Sequence, residues 1–404
     1  MTAPGLLRAT LTLLAAGSLA QLLPLALAPL LTRLYPPNEY GVYQLFAAVA
    51  ANVAVVACAR YEFALPLAAA DSEADVLRVL CLRILSAVVL LSAAAACIWT
   101  LVAATPWPLW LPLAVAALGL VSLATLHATR QRRFRRIAAA RLAQHGGGAA
   151  VQVLFGWLHM GVSGLIAGPL LAAVAALLML RLPMGGPSVS RDQLLAMAKR
   201  HRDFPLLNTP HAFLGALQDT ASIALIAGIA GPAAAGAWGL CMRVLKAPAT
   251  LVGGALSQAL YPQLASGGPG ATLAGRAAVA RAMGALALLA VPLVAALWWL
   301  GPPLFEWAFG AGWTQAGDLA RALALYIGVH FIASPMGVVT MAWNAQAFAL
   351  RLALLGQVLF IAALTVGLLW GGLALGGWLV SIVMALYFGW YFWRLATWPA
   401  KAAA

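Results

Sequence analysis

The chain has 404 residues, of which 64% are hydrophobic and only 8% charged, against about 25% charged in ordinary globular domains. That composition excludes a soluble enzyme, and apolar runs of membrane-spanning length from near residue 8 onward exclude disorder, collagen-like repeats and small disulfide scaffolds. The net charge of +14 comes from 24 Lys and Arg against 10 Asp and Glu, with the basic residues gathered between apolar segments, a pattern of membrane topology rather than nucleic-acid binding.

A spanning helix takes about 20 predominantly apolar residues. Windows of that length, broken at Gly, Pro and charge clusters, predict twelve helices at 9–34, 40–59, 84–104, 109–128, 141–159, 164–181, 206–230, 233–256, 282–300, 322–343, 350–370 and 373–394. The first stretch is too long for a signal-peptide core, and Pro29 after Ala26-Leu27-Ala28 disfavours cleavage, so it is expected to remain as helix one. Of the 24 basic residues, 20 fall on one side of this map, including Arg8, Arg60, Arg78, Arg83, Arg276 and Arg281 in loops, whereas the other side holds only Arg33 and Arg321. Both termini are therefore expected in the cytoplasm. The run Arg130 to Arg136 reads either as a topology determinant touching anionic lipid or as a collector of phosphorylated lipid. Trp107, Trp110, Trp298, Trp299, Trp390, Tyr391 and Trp393 fall at expected helix ends and read as interfacial anchors. With no long polar segment on either side, no sizeable extramembrane catalytic domain is expected.

The longest polar interruption, Arg181 to Asp203, contains Pro183, Gly185, Gly186 and Pro187, followed by a basic amphipathic segment from Arg191 to Arg200. It divides an N-terminal six-helix lobe (1–182) from a C-terminal one (205–404), with a cytoplasmic linker at 183–204. Each half begins with a Pro-containing helix, and Gly41-Val42-Tyr43-Gln44-Leu45 matches Gly236-Ala237-Trp238-Gly239-Leu240 at an offset of 195 residues. Two lobes of equal orientation would be a parallel repeat about a pseudo-two-fold axis along the membrane normal. The expected fold is thus an all-α polytopic membrane protein of 12 transmembrane helices in two lobes.

None of the three lysines, Lys199, Lys246 and Lys401, follows a phosphate-binding glycine loop, so the chain carries no ATPase motif of its own. The histidines never fall at HxxxH or HExxH spacing. Cys58, Cys81, Cys97 and Cys241 lie in or beside apolar segments, without a CxxC spacing or a second ligand type nearby, and read as small buried hydrophobes. No metal or cofactor is expected. Asp71-Ser72-Glu73-Ala74-Asp75 could supply metal ligands to a sugar-nucleotide enzyme, but without a companion site it reads as a solvated cytoplasmic loop.

Ionisable groups at bilayer depth cost on the order of 2.5–3.5 kcal/mol each on insertion scales, so they face a bundle interior or a watery cavity. Arg243 and Lys246 share one face of helix eight, and Asp219 is central in helix seven at the depth of Arg243. Three readings stand: an Asp219–Arg243 ion pair with Lys246 as second cation, snorkelling of Lys246 toward the cytoplasm, or a basic cavity face for an anionic head group. Arg60, beside Glu62 at the cytoplasmic end of helix two, either receives a substrate from that side or pairs locally. Gln21 and Asn52, at matching depths across the first hairpin, are expected to share an interhelical hydrogen bond.

Several phrases carry a family resemblance when taken together. They are Leu34-Tyr35-Pro36-Pro37-Asn38-Glu39-Tyr40-Gly41-Val42-Tyr43 after helix one, Arg60-Tyr61-Glu62-Phe63-Ala64-Leu65-Pro66 after helix two and Arg202-Asp203-Phe204-Pro205 opening helix seven. Leu256-Ser257-Gln258-Ala259-Leu260-Tyr261-Pro262 after helix eight and Gly301-Pro302-Pro303-Leu304-Phe305 before helix ten complete the set. In this order they resemble the polysaccharide (O-antigen type) flippases of the multidrug/oligosaccharidyl-lipid/polysaccharide exporter superfamily. The resemblance implies a two-lobed, alternating-access transporter of the bacterial inner membrane. It would move undecaprenyl-diphosphate-linked oligosaccharide from the cytoplasmic to the periplasmic leaflet for surface polysaccharide (lipopolysaccharide) synthesis, without enzymatic chemistry. Cavity cations that hold the diphosphate in such proteins fit Arg243 and Lys246, with Arg60 as a further candidate. Expected partners are the lipid-linked substrate, membrane lipids, and the polysaccharide polymerase and chain-length machinery, but not nucleic acid. An exporter of drugs or other small amphiphiles is the alternative reading, and a membrane glycan transferase or polymerase a third.

Overall fold

A computed structural model describes residues 3–185, 189–265 and 270–401. Gly186 and Pro187 of the expected linker lie outside the described residues. The chain separates into two compact units, Met1–Ile223 and Ala224–Ala404.

The first unit contains α1 (Ala3–Leu34), α2 (Pro37–Val55), α3 (Asp71–Ala103), α4 (Leu111–Arg130), α5 (Phe134–Leu142), α6 (Gly148–Trp157), α7 (Gly161–Leu180) and α8 (Arg191–Arg200). It also takes the first part of α9 (Thr209–Ile229), because the division falls within that helix. A π-type turn at Ala143–Gly147 joins α5 to α6, and a second, Phe204–Asn208, leads into α9. Small residues let helices approach closely in hydrocarbon. Ala117, Ala124 and Ala128 of α4 thus bury against Ile137 and Ala140 of α5 and Ala173 and Ala176 of α7. Polar pins cross this packing: Tyr35 donates to the Gln152 carbonyl at 2.8 Å, and the Gln152 amide donates to the Leu165 carbonyl at 2.7 Å. Burial, reinforced by the Glu39 charge, pushes the Tyr35 phenol up to about 12, so it remains a hydrogen-bond donor.

The second unit contains α10 (Pro232–Ala265), α11 (Leu273–Phe309), α12 (Thr314–Ala322), α13 (Ala324–Ala333), α14 (Gly337–Ala342) and α15 (Gln346–Ala396). Two-residue strands, β1 (Ala271–Thr272) and β2 (Ala400–Lys401), pair in parallel. Val279 and Leu286 of α11, Val339 of α14, and Tyr391 and Leu395 of α15 share one core. At roughly 1.5 Å per residue, 51 residues far exceed one bilayer crossing, and α15 accordingly breaks at Gly371 (φ −154°) and Gly372 (φ 74°, ψ −164°). The two arms pass closely: a Cβ placed on Gly367 would lie 2.4 Å from the Gly376 Cα.

Among the described residues, seven helical stretches are long and apolar enough to cross a membrane: Asp71–Val102, Trp107–Arg130, Gly161–Leu180, Phe204–Ile229, Leu273–Phe309, Ala324–Ala342 and Gln346–Ala396. Large apolar side chains such as Leu101 (83% exposed) and Trp370 (82%) remain uncovered by protein, as a hydrocarbon solvent permits.

The helices run further than the apolar windows. Asp71–Asp75 opens α3 and is no loop, since apolar periodicity already begins at Ala74 and acidic residues favour a helix N-terminus. Arg78 and Arg83 lie within α3, and Arg276 and Arg281 within α11, so these basic residues are helical. The Leu256–Pro262 phrase belongs to the last turns of α10, and Gly301–Phe305 lies inside α11. Trp298 and Trp299 therefore sit well inside a helix, and Tyr391 is no interfacial anchor: it is buried and donates to the Met336 carbonyl at 3.1 Å.

Candidate functional site

In the first unit the chain leaves α2 through a turn in which two consecutive non-glycine residues, Ala59 (φ 48°) and Arg60 (φ 63°), are left-handed. Such residues cost roughly 1–2 kcal/mol each, so the turn is held by its surroundings. A 3-10 helix, Tyr61–Leu67, follows and packs against α3 and α4. The Arg60 guanidinium stands 4.3 Å from the Phe63 ring centroid, and the Glu62 side chain is buried. Burial raises the Glu62 carboxyl above the usual carboxylate range, while its backbone hydrogen bond, Arg60 and the Ser122 hydroxyl act in the opposite direction. The structure thus brings Arg60 and Glu62 together, with the cation over an aromatic face.

Two further side chains join Glu62. The donor atoms of Cys58, Glu62 and Cys81, all buried, lie within 4.8 Å of one another. The cysteines at 58 and 81 therefore do have a second ligand type beside them, against the expectation from sequence. Cys58 and Glu62 are four residues apart, a spacing that was visible, but only the fold supplies Cys81. Cys97 departs from the expectation differently: it is exposed.

The start of α3 is an ionic hub. Arg130 of α4 holds Asp71 at 2.7 Å and also donates to the Ala68 carbonyl, while Arg78 pairs with Asp75 at 2.9 Å and donates to the Gly185 carbonyl at 3.0 Å. Glu73 meets Arg200 at 3.1 Å and His201 at 3.4 Å, and Tyr61 donates to the Ala198 carbonyl at 3.2 Å. Each acidic residue thus takes its own basic partner, and together these bonds tie α8 to α3.

Gln21 and Asn52 do not share a hydrogen bond. Gln21 is exposed, whereas the buried Asn52 amide donates to the Thr220 hydroxyl of α9 at 3.2 Å. Equal depth fixes height along two helices but not the direction around each. Asp219, next to Thr220, is exposed on α9.

In the second unit Arg243 and Lys246 stand one turn apart on α10, both half-buried, between the buried Cys241, Met242, Leu245 and Ala249. Trp238, four residues before Met242, packs edge-on against Phe360 at 6.2 Å. An apolar groove of about 550 Å³ between α10 and α11 is walled by Leu251, Leu256, Leu286 and Leu289. Ala255 in its wall is nine residues from Lys246. At roughly 100° per residue this is the opposite side of α10, so the groove does not continue the basic face. The Gly41–Leu45 and Gly236–Leu240 phrases occupy matching places, each beginning four residues after a proline that opens its helix, Pro37 of α2 and Pro232 of α10.

These features define a multi-pass α-helical membrane protein, and its fold is shared with solved transporters. The chain is similar to the lipid II flippase MurJ in an inward closed conformation, with TM-score 0.68 at 11% identity, over 95% of this chain and 89% of that one. It is also similar to an inward-facing multidrug-resistance MATE family transporter of the MOP superfamily, with TM-score 0.62 at 15% identity, over 94% and 96%. A Vibrio cholerae MATE transporter in its bent form gives TM-score 0.53 at 14% identity, over 97% and 95%. No curated protein sequence matches. By the family match over residues 30–318, the chain belongs to the polysaccharide biosynthesis protein family.

Proposed function

We propose that this protein is a flippase that carries undecaprenyl-diphosphate-linked oligosaccharide from the cytoplasmic to the periplasmic leaflet of the bacterial inner membrane, for surface polysaccharides such as O-antigen. The observation that carries this reading is the polysaccharide-biosynthesis family match across residues 30–318, in a chain whose fold is that of MOP-superfamily transporters. The proposed architecture is twelve spans in two six-helix lobes related by a pseudo-two-fold axis, with both termini cytoplasmic. Alternating exposure of a central cavity moves the substrate, and no covalent step is involved.

In this reading Arg243 and Lys246 contact the diphosphate: arginine offers a fork of donors and lysine a compact charge, and two cations one turn apart match two adjacent phosphates. Arg60 receives the head group on the cytoplasmic side. Polymerase and chain-length machinery would consume the product. A test is export in cells lacking the gene: restored surface polysaccharide with the wild-type chain, and a loss of tenfold or more with Lys246→Ala at equal membrane protein level, is expected. Full export by that variant would remove Lys246 from the site.

The likeness to a multidrug-resistance transporter favours a second reading, a secondary exporter of small amphiphiles. Changed drug tolerance with intact surface polysaccharide would establish it instead.

A further inference from the structure

We propose that Cys58, Glu62 and Cys81 form a metal site, independent of the transport reading, that takes a thiophilic divalent cation of the zinc class with a solvent molecule completing the coordination. The donors come from three places in the chain: the turn after α2, the 3-10 helix and the second turn-pair of α3, and they converge within 4.8 Å. A tetrahedral zinc centre with Zn–S near 2.3 Å needs donor separations of roughly 3.5–3.8 Å, so ion binding would draw the donors together by about 1 Å.

A second observation points the same way. Glu62 is 2% exposed, and its Oε2 is buried without a hydrogen-bond partner. A buried carboxylate oxygen left without a donor costs free energy, and a cation between it and the two sulfurs removes that cost. The charges also balance. Two thiolates and a carboxylate carry three negative charges, the ion supplies two positive ones, and Arg60, close enough to act on Glu62, supplies the third. The thiol protons, and that of Glu62 where it is protonated, pass to solvent as the ion binds. The soft sulfur pair selects zinc-class ions over Mg²⁺ and Ca²⁺, which take oxygen donors. Bound there, the ion would brace the left-handed turn at Ala59 and Arg60 against α3.

The test uses the full chain purified in detergent with its thiols held reduced, titrated with Co²⁺ and then Zn²⁺. The expected result is about one equivalent bound per chain, a thiolate-to-cobalt charge-transfer band with the visible spectrum of a four-coordinate ion, and displacement by Zn²⁺. Cys58→Ser and Cys81→Ser should abolish the band, Glu62→Gln should weaken binding about tenfold or more, and Cys97→Ser with Cys241→Ser should leave it unchanged. Absence of the band in monodisperse, reduced wild-type protein would overturn the proposal, as would a band that persists in the Cys58 and Cys81 variants. Where those variants aggregate, the wild-type titration and Glu62→Gln decide.

Discussion

Arg78 illustrates how this chain keeps a charge inside a helix. Its side chain is only 5% exposed, yet one nitrogen reaches both Asp75 and the Gly185 carbonyl. Removing it deletes both interactions, and hydrogen bonds involving a charged group contribute roughly 1.5–3 kcal/mol. Arg78→Ala is therefore expected to destabilise the detergent-purified protein by about that amount, measured by denaturant unfolding; an unchanged midpoint would refute the role. Asn52 makes a smaller contribution through Thr220. A double-mutant cycle of Asn52→Ala and Thr220→Ala should give a coupling near 0.6 kcal/mol, the average for interhelical hydrogen bonds in a membrane protein, and strict additivity would contradict it. These residues also mark what could be read in advance. That Asn52 needs an interhelical partner follows from its polarity and depth, but the partner lies 168 residues away and depends on helix rotation, which depth alone does not encode. Glu62 was visible beside Arg60, whereas Cys81 reaches it only through the packing of α3.

At the scale of elements, apolar windows locate the helices and misplace their ends. Charge clusters break the apolar windows, yet α3 continues through Arg78 and Arg83 because the first is paired and the second is exposed. Prolines behave similarly: Pro302 and Pro303 lie inside α11 without ending it. The amphipathic segment Arg191–Arg200 is well specified locally, with Ser190 and Gln193 forming a reciprocal capping box. Ser190→Ala should lower the local opening free energy of α8 by about 1 kcal/mol, read by hydrogen exchange of its amides. Where the backbone bends, glycine decides. Gly367→Ala would push a methyl into the Gly376 backbone, and overpacking of this kind costs roughly 1–3 kcal/mol. Gly389→Ala, on the same helix with nothing within 4 Å, is the matched control. A lower thermal midpoint for the first variant alone is expected; equal midpoints would show that the arms can separate.

For the whole molecule, composition dictates the membrane and the packing divides the chain into two compact units, while the proposed transport function rests on the proposed roles of the basic residues. The chain belongs to the polysaccharide biosynthesis protein family and shares its fold with solved transporters. In the proposed function the half-buried pair Arg243 and Lys246 holds the diphosphate in a low-dielectric setting, where charge–charge attraction is strongest. The most direct measurement is leaflet assignment of a fluorescent undecaprenyl-diphosphate oligosaccharide in liposomes holding the purified protein, beside Lys246→Ala and Arg243→Ala. Translocation by the wild type and a loss of tenfold or more in each variant are expected. No translocation by well-folded wild-type protein, with and without ion gradients, would contradict the proposed function.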